Sequence, residues 1–270
     1  MLPHSRVQAF FDICKTQWRK MLFNCLFFLF AGIPIGLIAS LMIRGIYINL
    51  GAISAGTLSE EEGYANVFSV MNYSFLFLAL AMVMVSILMS GLSRIYIKLC
   101  WQKGILYFSD FWLGIKQNSL QNGLFSLFVA LLFPLASVFH SFLFMYFRSL
   151  LPLAFIFYFL IAFLFIPWLL VFYFMTAIYQ MTFFGRIKGA FQIMMRGYLP
   201  ILGFMIVLYA PLLVLISVNA IAISIVMVVY ALIYVPLWYL AFVLLALKLF
   251  DKHINRYSYP DLVDRGIWRK

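Results

Sequence analysis

Residues Leu150 to Ala177 read LLPLAFIFYFLIAFLFIPWLLVFYFMTA, a run of twenty-eight residues without one charged side chain. A helix crosses a bilayer with about 20 consecutive apolar residues, because hydrocarbon offers the backbone N–H and C=O groups no partner and only the helix itself supplies one. At about 1.5 Å per residue this run spans roughly 42 Å, more than the core of a membrane. A barrel strand would need only about 10 residues of alternating character, so an outer-membrane barrel is excluded. Working outward, the whole chain shares this character. Of its 270 residues 66% are apolar, 20% aromatic and 10% charged, where a soluble domain carries about 25% charged residues. Soluble globular, disordered and disulfide-rich secreted classes are thereby excluded. Cys14, Cys25 and Cys100 form no CxxC pair, so neither a zinc knuckle nor a redox motif is present and reduced thiols are expected.

Six apolar segments emerge, at about 21–43, 68–92, 123–147, 150–177, 199–217 and 220–247. Segments three and four are separated only around Arg148-Ser149, and five and six only around Val218-Asn219, which predicts two tight helical hairpins. The basic residues sort by side. Arg6, Lys15, Arg19 and Lys20 precede the first segment; Arg94, Lys98, Lys103 and Lys116 lie between two and three; Arg186, Lys188 and Arg196 lie between four and five. Lys248, Lys252, Arg256, Arg265, Arg269 and Lys270 end the chain, leaving only Arg44 and Arg148 on the other side. By the positive-inside rule both termini are cytoplasmic, and the net charge of +11 becomes an orientation signal rather than a sign of nucleic-acid binding. The first apolar run is too long for a signal peptide and no A-x-A site follows it, so it is expected to remain as an anchor.

The connections carry their own pattern. Val7, Phe10, Phe11, Cys14 and Trp18 recur at helical spacing opposite Gln8, Asp12, Lys15 and Arg19, which predicts an amphipathic interfacial helix over residues 1–20. Phe108, Phe111, Trp112 and Ile115 repeat the device between segments two and three, with Asp110 and Lys116 elsewhere on the helix. Phe184, Ile187, Phe191 and Met194 repeat it between four and five, flanked by Arg186, Lys188 and Arg196. The expected architecture is an all-α membrane protein: a six-span transmembrane helix bundle over 21–249 with short amphipathic interfacial helices on the cytoplasmic face and a cytoplasmic tail over 250–270. Its partners are the lipid bilayer and anionic lipid at the cytoplasmic face. Span, amphipathic helix and span occur twice, over 68–147 and 150–217, with Pro134 and Pro211 in matching places. This suggests a parallel internal repeat. The one long outer segment, Arg44–Asn66, contains Ser59-Glu60-Glu61-Glu62, read as a helix start with Ser59 as N-cap and Glu62 as its capping-box partner.

Motifs for chemistry are missing. No charged residue occupies the middle of a span, which argues against an ion-coupled path. The intramembrane polar residues of interest are Asn24, His140 and Asn219, and small hydroxyls such as Ser126 and Ser137 are expected to bind helix to helix. His4, His140 and His253 are too scattered to hold a metal, and no acid/base pair, H-E-x-x-H, Walker A or G-x-S-x-G motif occurs. No cofactor and no catalytic residue is expected. Pro34, Pro134, Pro167, Pro211 and Pro236 inside spans predict kinks.

Three stretches carry a resemblance: QWRKMLFNCLFFLFAGIPIG (Gln17–Gly36), GLSRIYIKLCWQKGILYFSDFWLGIKQN (Gly91–Asn118) and FDKHINRYSYPDLVDRGIW (Phe250–Trp268). They resemble the YesL-like family of bacterial membrane proteins, a domain of unknown function. The resemblance implies a six-span protein acting beside a carbohydrate importer. On this reading the chain is a non-enzymatic accessory protein docking an importer or sensor complex through Arg94, Asp110, Phe111, Trp112, Lys116, Arg186 and Lys188. The alternative is a permease or importer subunit. Gly189-Ala190 and Leu199-Pro200 echo an importer's coupling-helix motif, but its Glu-Ala-Ala element is absent.

Overall fold

The computed structural model describes residues 5–214 and 229–266. The described residues are 90% helical, and no strand occurs among them. Its helices are α1 (Arg6–Thr16), α2 (Trp18–Ser54), α3 (Glu60–Cys100), α4 (Tyr107–Tyr146), α5 (Leu151–Leu160), α6 (Ile166–Ile178), α7 (Phe183–Arg196), α8 (Tyr198–Val214) and α9 (Val235–Phe250). Among the described residues, five stretches are long and apolar enough to cross a membrane: Trp18–Ser54, Glu60–Cys100, Tyr107–Tyr146, Arg148–Ile178 and Tyr230–Ser258. Phe183–Arg196 and Tyr198–Pro211 would together make a sixth, broken by an 88° bend. The hairpin expected at Val218-Asn219, and Asn219 with it, lies outside the described residues.

Several boundaries differ from the expectation, each for a local reason. α1 is shorter than the helix expected over 1–20, and it buries Ala9 and Ile13 while Val7 and Phe11 of the expected apolar face are exposed. Ser5 Oγ accepts from the Gln8 N–H at 3.2 Å while Gln8 Oε1 accepts from the Ser5 N–H at 3.0 Å, a reciprocal capping box. The helix breaks at Gln17, and α2 starts at once. Between segments two and three there is no separate interfacial helix. The amphipathic stretch from Tyr107 is the first part of the continuous α4, because nothing between Lys116 and Gly123 stops a helix and Gly123 is tolerated within one. The long outer segment is mostly helical too, since α2 runs on past Arg44 to Ser54. α3 then begins at Ser59, whose Oγ accepts from the Glu62 N–H at 3.3 Å and donates to the Glu62 carboxylate at 2.8 Å. Arg148–Leu150 forms a 3₁₀ turn where the hairpin between spans three and four was expected.

Prolines set the shape of two other helices. A proline lacks an N–H and crowds the carbonyl four residues before it. Pro167 and Pro236 each follow a π turn by two residues, Ile161–Phe165 and Tyr230–Tyr234, and in both the next N–H reaches back five residues, Ile166 to Ile161 and Val235 to Tyr230. The wider turn makes room for the ring.

The chain forms two compact units: residues 1–30, 87–122 and 167–270 in one, 31–86 and 123–166 in the other. The first has an aromatic core. Tyr96, Phe172, Phe174, Tyr239, Phe242 and Phe250 are almost wholly buried, with Tyr96 edge-on to Tyr239 at 5.0 Å and Phe28 edge-on to Tyr239 at 5.4 Å. The second packs through small residues instead. Ala79, Ala81, Ala130, Ala136 and Ala154 are buried while Leu76, Phe77, Leu131, Phe155 and Phe159 face outward. Close packing through small side chains with large apolar ones turned out is the pattern of helices in lipid.

Candidate functional site

The chemistry-bearing side chains of the first unit gather on the basic connections. At the start of α4, Asp110 is 6% exposed. Its Oδ2 accepts from the Leu106 N–H at 2.9 Å, and the Lys98 Nζ donates to its Oδ1 at 2.5 Å with Arg94 Nε at 3.9 Å. Asp110 precedes the apolar run of α4. Burial raises its proton affinity, but the bonds from Lys98 and Leu106 and the charges of Lys98 and Arg94 outweigh burial and hold the carboxyl below its ordinary range. Phe111 is buried as well, stacked on Phe27 at 4.5 Å. It lies over Gly91, where a Cβ would come within 2.4 Å of its ring; across the same crossing a Cβ on Gly114 would meet the Ser90 carbonyl at 2.8 Å. Arg94 Nη1 donates to Gln117 Oε1 at 2.8 Å. Four of the predicted residues are thus divided: Arg94, Asp110 and Phe111 join α3 to α4, whereas Trp112 is 67% exposed. Lys116 is exposed beside it.

α7 is the separate amphipathic helix that the sequence predicts, capped by Thr182 Oγ1 accepting from the Gly185 N–H at 3.3 Å. Its predicted faces are redistributed. Arg186 is 8% exposed and donates to Gln121 Oε1; with Ala190, Ile193 and Met194 it forms the buried face. Burial lowers the proton affinity of its guanidinium. Trp168 Nε1 donates to the Ile187 carbonyl at 3.0 Å and its ring packs on Phe191 at 5.0 Å. Phe184, at 78% exposed, and Lys188 point away. Arg186 is therefore an anchor of α7 and not part of its free surface.

One node escaped sequence reading. Arg6 of α1 pairs with Asp251, just past α9, and its guanidinium lies 3.8 Å from Asp264. Asp251 also accepts from Asn255 Nδ2 at 2.7 Å and from the Asp264 N–H at 3.3 Å, and Asn255 Oδ1 accepts from the Tyr179 hydroxyl at 2.6 Å. The two ends of the described chain meet on one carboxylate. With Arg6 and Asp251 separated by 245 positions, no local pattern could have signalled the pair.

Of the intramembrane candidates, Asn24 belongs to the first unit and His140 to the second. Asn24 is fully buried and accepts from the Tyr107 hydroxyl at 3.2 Å, tying α2 to the start of α4. His140 belongs to the second unit, where it makes no hydrogen bond among the described residues and lies among the rings of Phe68, Phe155 and Tyr158 at 5.6–6.0 Å. The role expected of such a histidine, a helix-to-helix hydrogen bond, belongs instead to Ser137, which donates to Asn72 Oδ1 at 2.6 Å. Asn219 lies outside the described residues. A second polar link, in the first unit, runs from Ser90 through Asn122 to Thr176: Asn122 Nδ2 donates to Ser90 Oγ at 2.8 Å and accepts from Thr176 Oγ1 at 2.9 Å. No group of three or more His, Cys, Asp or Glu able to hold a metal occurs among the described residues.

No family model, no curated protein and no solved structure matches this chain.

Proposed function

We propose that the protein is a non-enzymatic accessory subunit of a bacterial cell-membrane complex, with both termini cytoplasmic, docking its partner through α7 and the start of α4. The observation that carries this reading is the division of α7 into two faces. Arg186, Ala190, Ile193 and Met194 fix the helix to its own chain, and Phe184 and Lys188 are left outward. Phe108, Trp112 and Lys116 offer a matching mixture on α4. Aromatic side chains beside a lone cation suit both the headgroup region and a partner helix lying along it. The resemblance of three stretches to the YesL-like family supports an importer of carbohydrate as the complex. The excess of Lys and Arg on the connections supports the cytoplasmic side and anionic lipid around them.

The test is recovery of the importer's membrane subunits with the full chain in mild detergent. Lys188→Glu together with Trp112→Ala is expected to reduce recovery severalfold at unchanged levels of the chain. Undiminished recovery would remove both helices from the proposal. Purified protein that moved labelled oligosaccharide across liposomes unaided would overturn the accessory role itself.

A further inference from the structure

The turn between α3 and α4 holds a cluster of cations that the docking reading does not use. Trp101 sits at this turn, and two positive groups lie against its ring: Lys103 Nζ at 5.1 Å and the Arg265 guanidinium at 5.0 Å from the centroid. These distances place the two cations within about 10 Å of one another, since each is about 5 Å from the same point. Neither forms an ion pair among the described residues. The carboxylates near them are engaged, Asp110 by Lys98 and Arg94 and Asp264 by Arg6. Burial first, and then the charges of Arg265, Lys98 and Arg94, make Lys103 easier to deprotonate than a free lysine.

The cluster is assembled with some backbone strain. Gln102 ends α3 with φ of +51°, and the Gln102 N–H to Leu99 and Lys103 N–H to Lys98 bonds make a Schellman turn, whose left-handed position is usually glycine. Gly56 fills that position at the end of α2, with φ of +69°. Here the side chain has a use: Gln102 Nε2 donates to the Gly266 carbonyl at 3.0 Å. Gly266, at φ of +82°, presses so close to the turn that a Cβ would come within 2.1 Å of the Cys100 carbonyl oxygen. The tail is thereby fastened across the turn, and its fastening brings Arg265 to Trp101.

We propose that Lys103, Arg265 and Trp101 form a binding site for a phosphate group. Two cations held within about 10 Å of one another against one ring leave room for a phosphate at the ring's edge, where the guanidinium fork and the ammonium of these long side chains would give it charge-assisted hydrogen bonds of the strong kind. The occupant is the headgroup of an anionic phospholipid or a soluble phosphate, and it locks the tail onto the turn. The site is independent of the docking surface on α7 and α4.

The full chain in detergent micelles, titrated by calorimetry with dioctanoyl phosphatidylglycerol and separately with inorganic phosphate, tests this. One molecule per chain of at least one probe is expected. Binding of the lipid alone identifies a headgroup site, and binding of inorganic phosphate identifies a soluble ligand. Lys103→Gln and Arg265→Gln are each expected to weaken binding about tenfold or more. Gly266→Ala, which keeps every charge but cannot seat the tail, is expected to do the same. Lys116→Gln and Lys188→Gln are expected to leave binding unchanged, so a failed docking surface would not disturb the result. Absence of binding by both probes overturns the proposal. So does an equal loss in the Lys116 or Lys188 variant, or wild-type binding by the Gly266 variant.

Discussion

Pro211 has no N–H, which leaves the carbonyl of Val207 without its helical donor. The Tyr234 hydroxyl donates to that carbonyl, with Tyr230 donating to Leu208 at 2.9 Å and Trp238 Nε1 to Phe204 at 2.7 Å. Three aromatic donors four residues apart thus reach carbonyls on the turns beside Pro211, and Tyr234 supplies the donor that Val207 lacks. Tyr234→Phe should lower stability by about 0.6 to 1.7 kcal/mol, the range of such bonds within membranes, read from denaturation in mixed micelles. Asp110 gives a pH dependence. Its folded carboxyl titrates below the ordinary value, so its contribution is present above about pH 4 and disappears as pH falls through the folded value. Thermal stability in detergent should therefore fall more steeply on acidification in the wild type than in Asp110→Asn. Equal slopes would mean that Lys98 and Arg94 do not hold the charge. Asp110 and Arg94 were both singled out, but for docking rather than for each other, and Lys98 was not, because it lies twelve residues away on another helix.

At the scale of elements, period and charge located helices better than they located their ends or faces. α1 and α7 are legible as helices in their amphipathic period, but the residues that bound them, Ser5 and Gln17, Thr182 and Gly197, are identified by the structure. α4 was not divided correctly, since its polar stretch from Lys116 to Asn122 resembles a loop in composition but turns inward as a helix. Asn118 and Asn122 are buried there. The face assignments failed where α7 packs against its own chain through a charged residue, Arg186, which a hydropathy pattern assigns to the surface. The proposed repeat pairs Pro134 with Pro211, and both lie within helices, α4 and α8. A closer likeness joins Pro167 to Pro236 through their matching π turns, a register that sequence alone does not display. The α3–α4 crossing is a further consequence of small residues. Gly114→Val should destabilise the protein by about 1–3 kcal/mol, because its Cβ would meet the Ser90 carbonyl and the Gly91 backbone, not a side chain that could move. A thermal unfolding midpoint equal to wild type would show that the helices can separate freely there.

For the molecule as a whole, both ends depend on Asp251. Its pairing with Arg6 and its bond from the Asp264 N–H hold α1 and the tail in one unit. Removing one member of a largely buried pair strands the other charge, at a cost of about 3–5 kcal/mol. Asp251→Ala should accordingly make both ends sensitive to limited proteolysis at once, and loss of protection at one end alone would contradict a shared node. The proposed docking also fixes a side of the membrane: on that proposal the basic connections and both ends face the cytoplasm, and the turn between α2 and α3 faces out. Docking through α7 requires it. The direct measurement is labelling of single cysteines in intact cells with a membrane-impermeant thiol reagent, after Cys14, Cys25 and Cys100 are replaced by Ser. Glu61→Cys should label in intact cells, and Lys188→Cys only after the membrane is permeabilised. Labelling of the Lys188 position in intact cells, with Glu61 protected, would contradict the account.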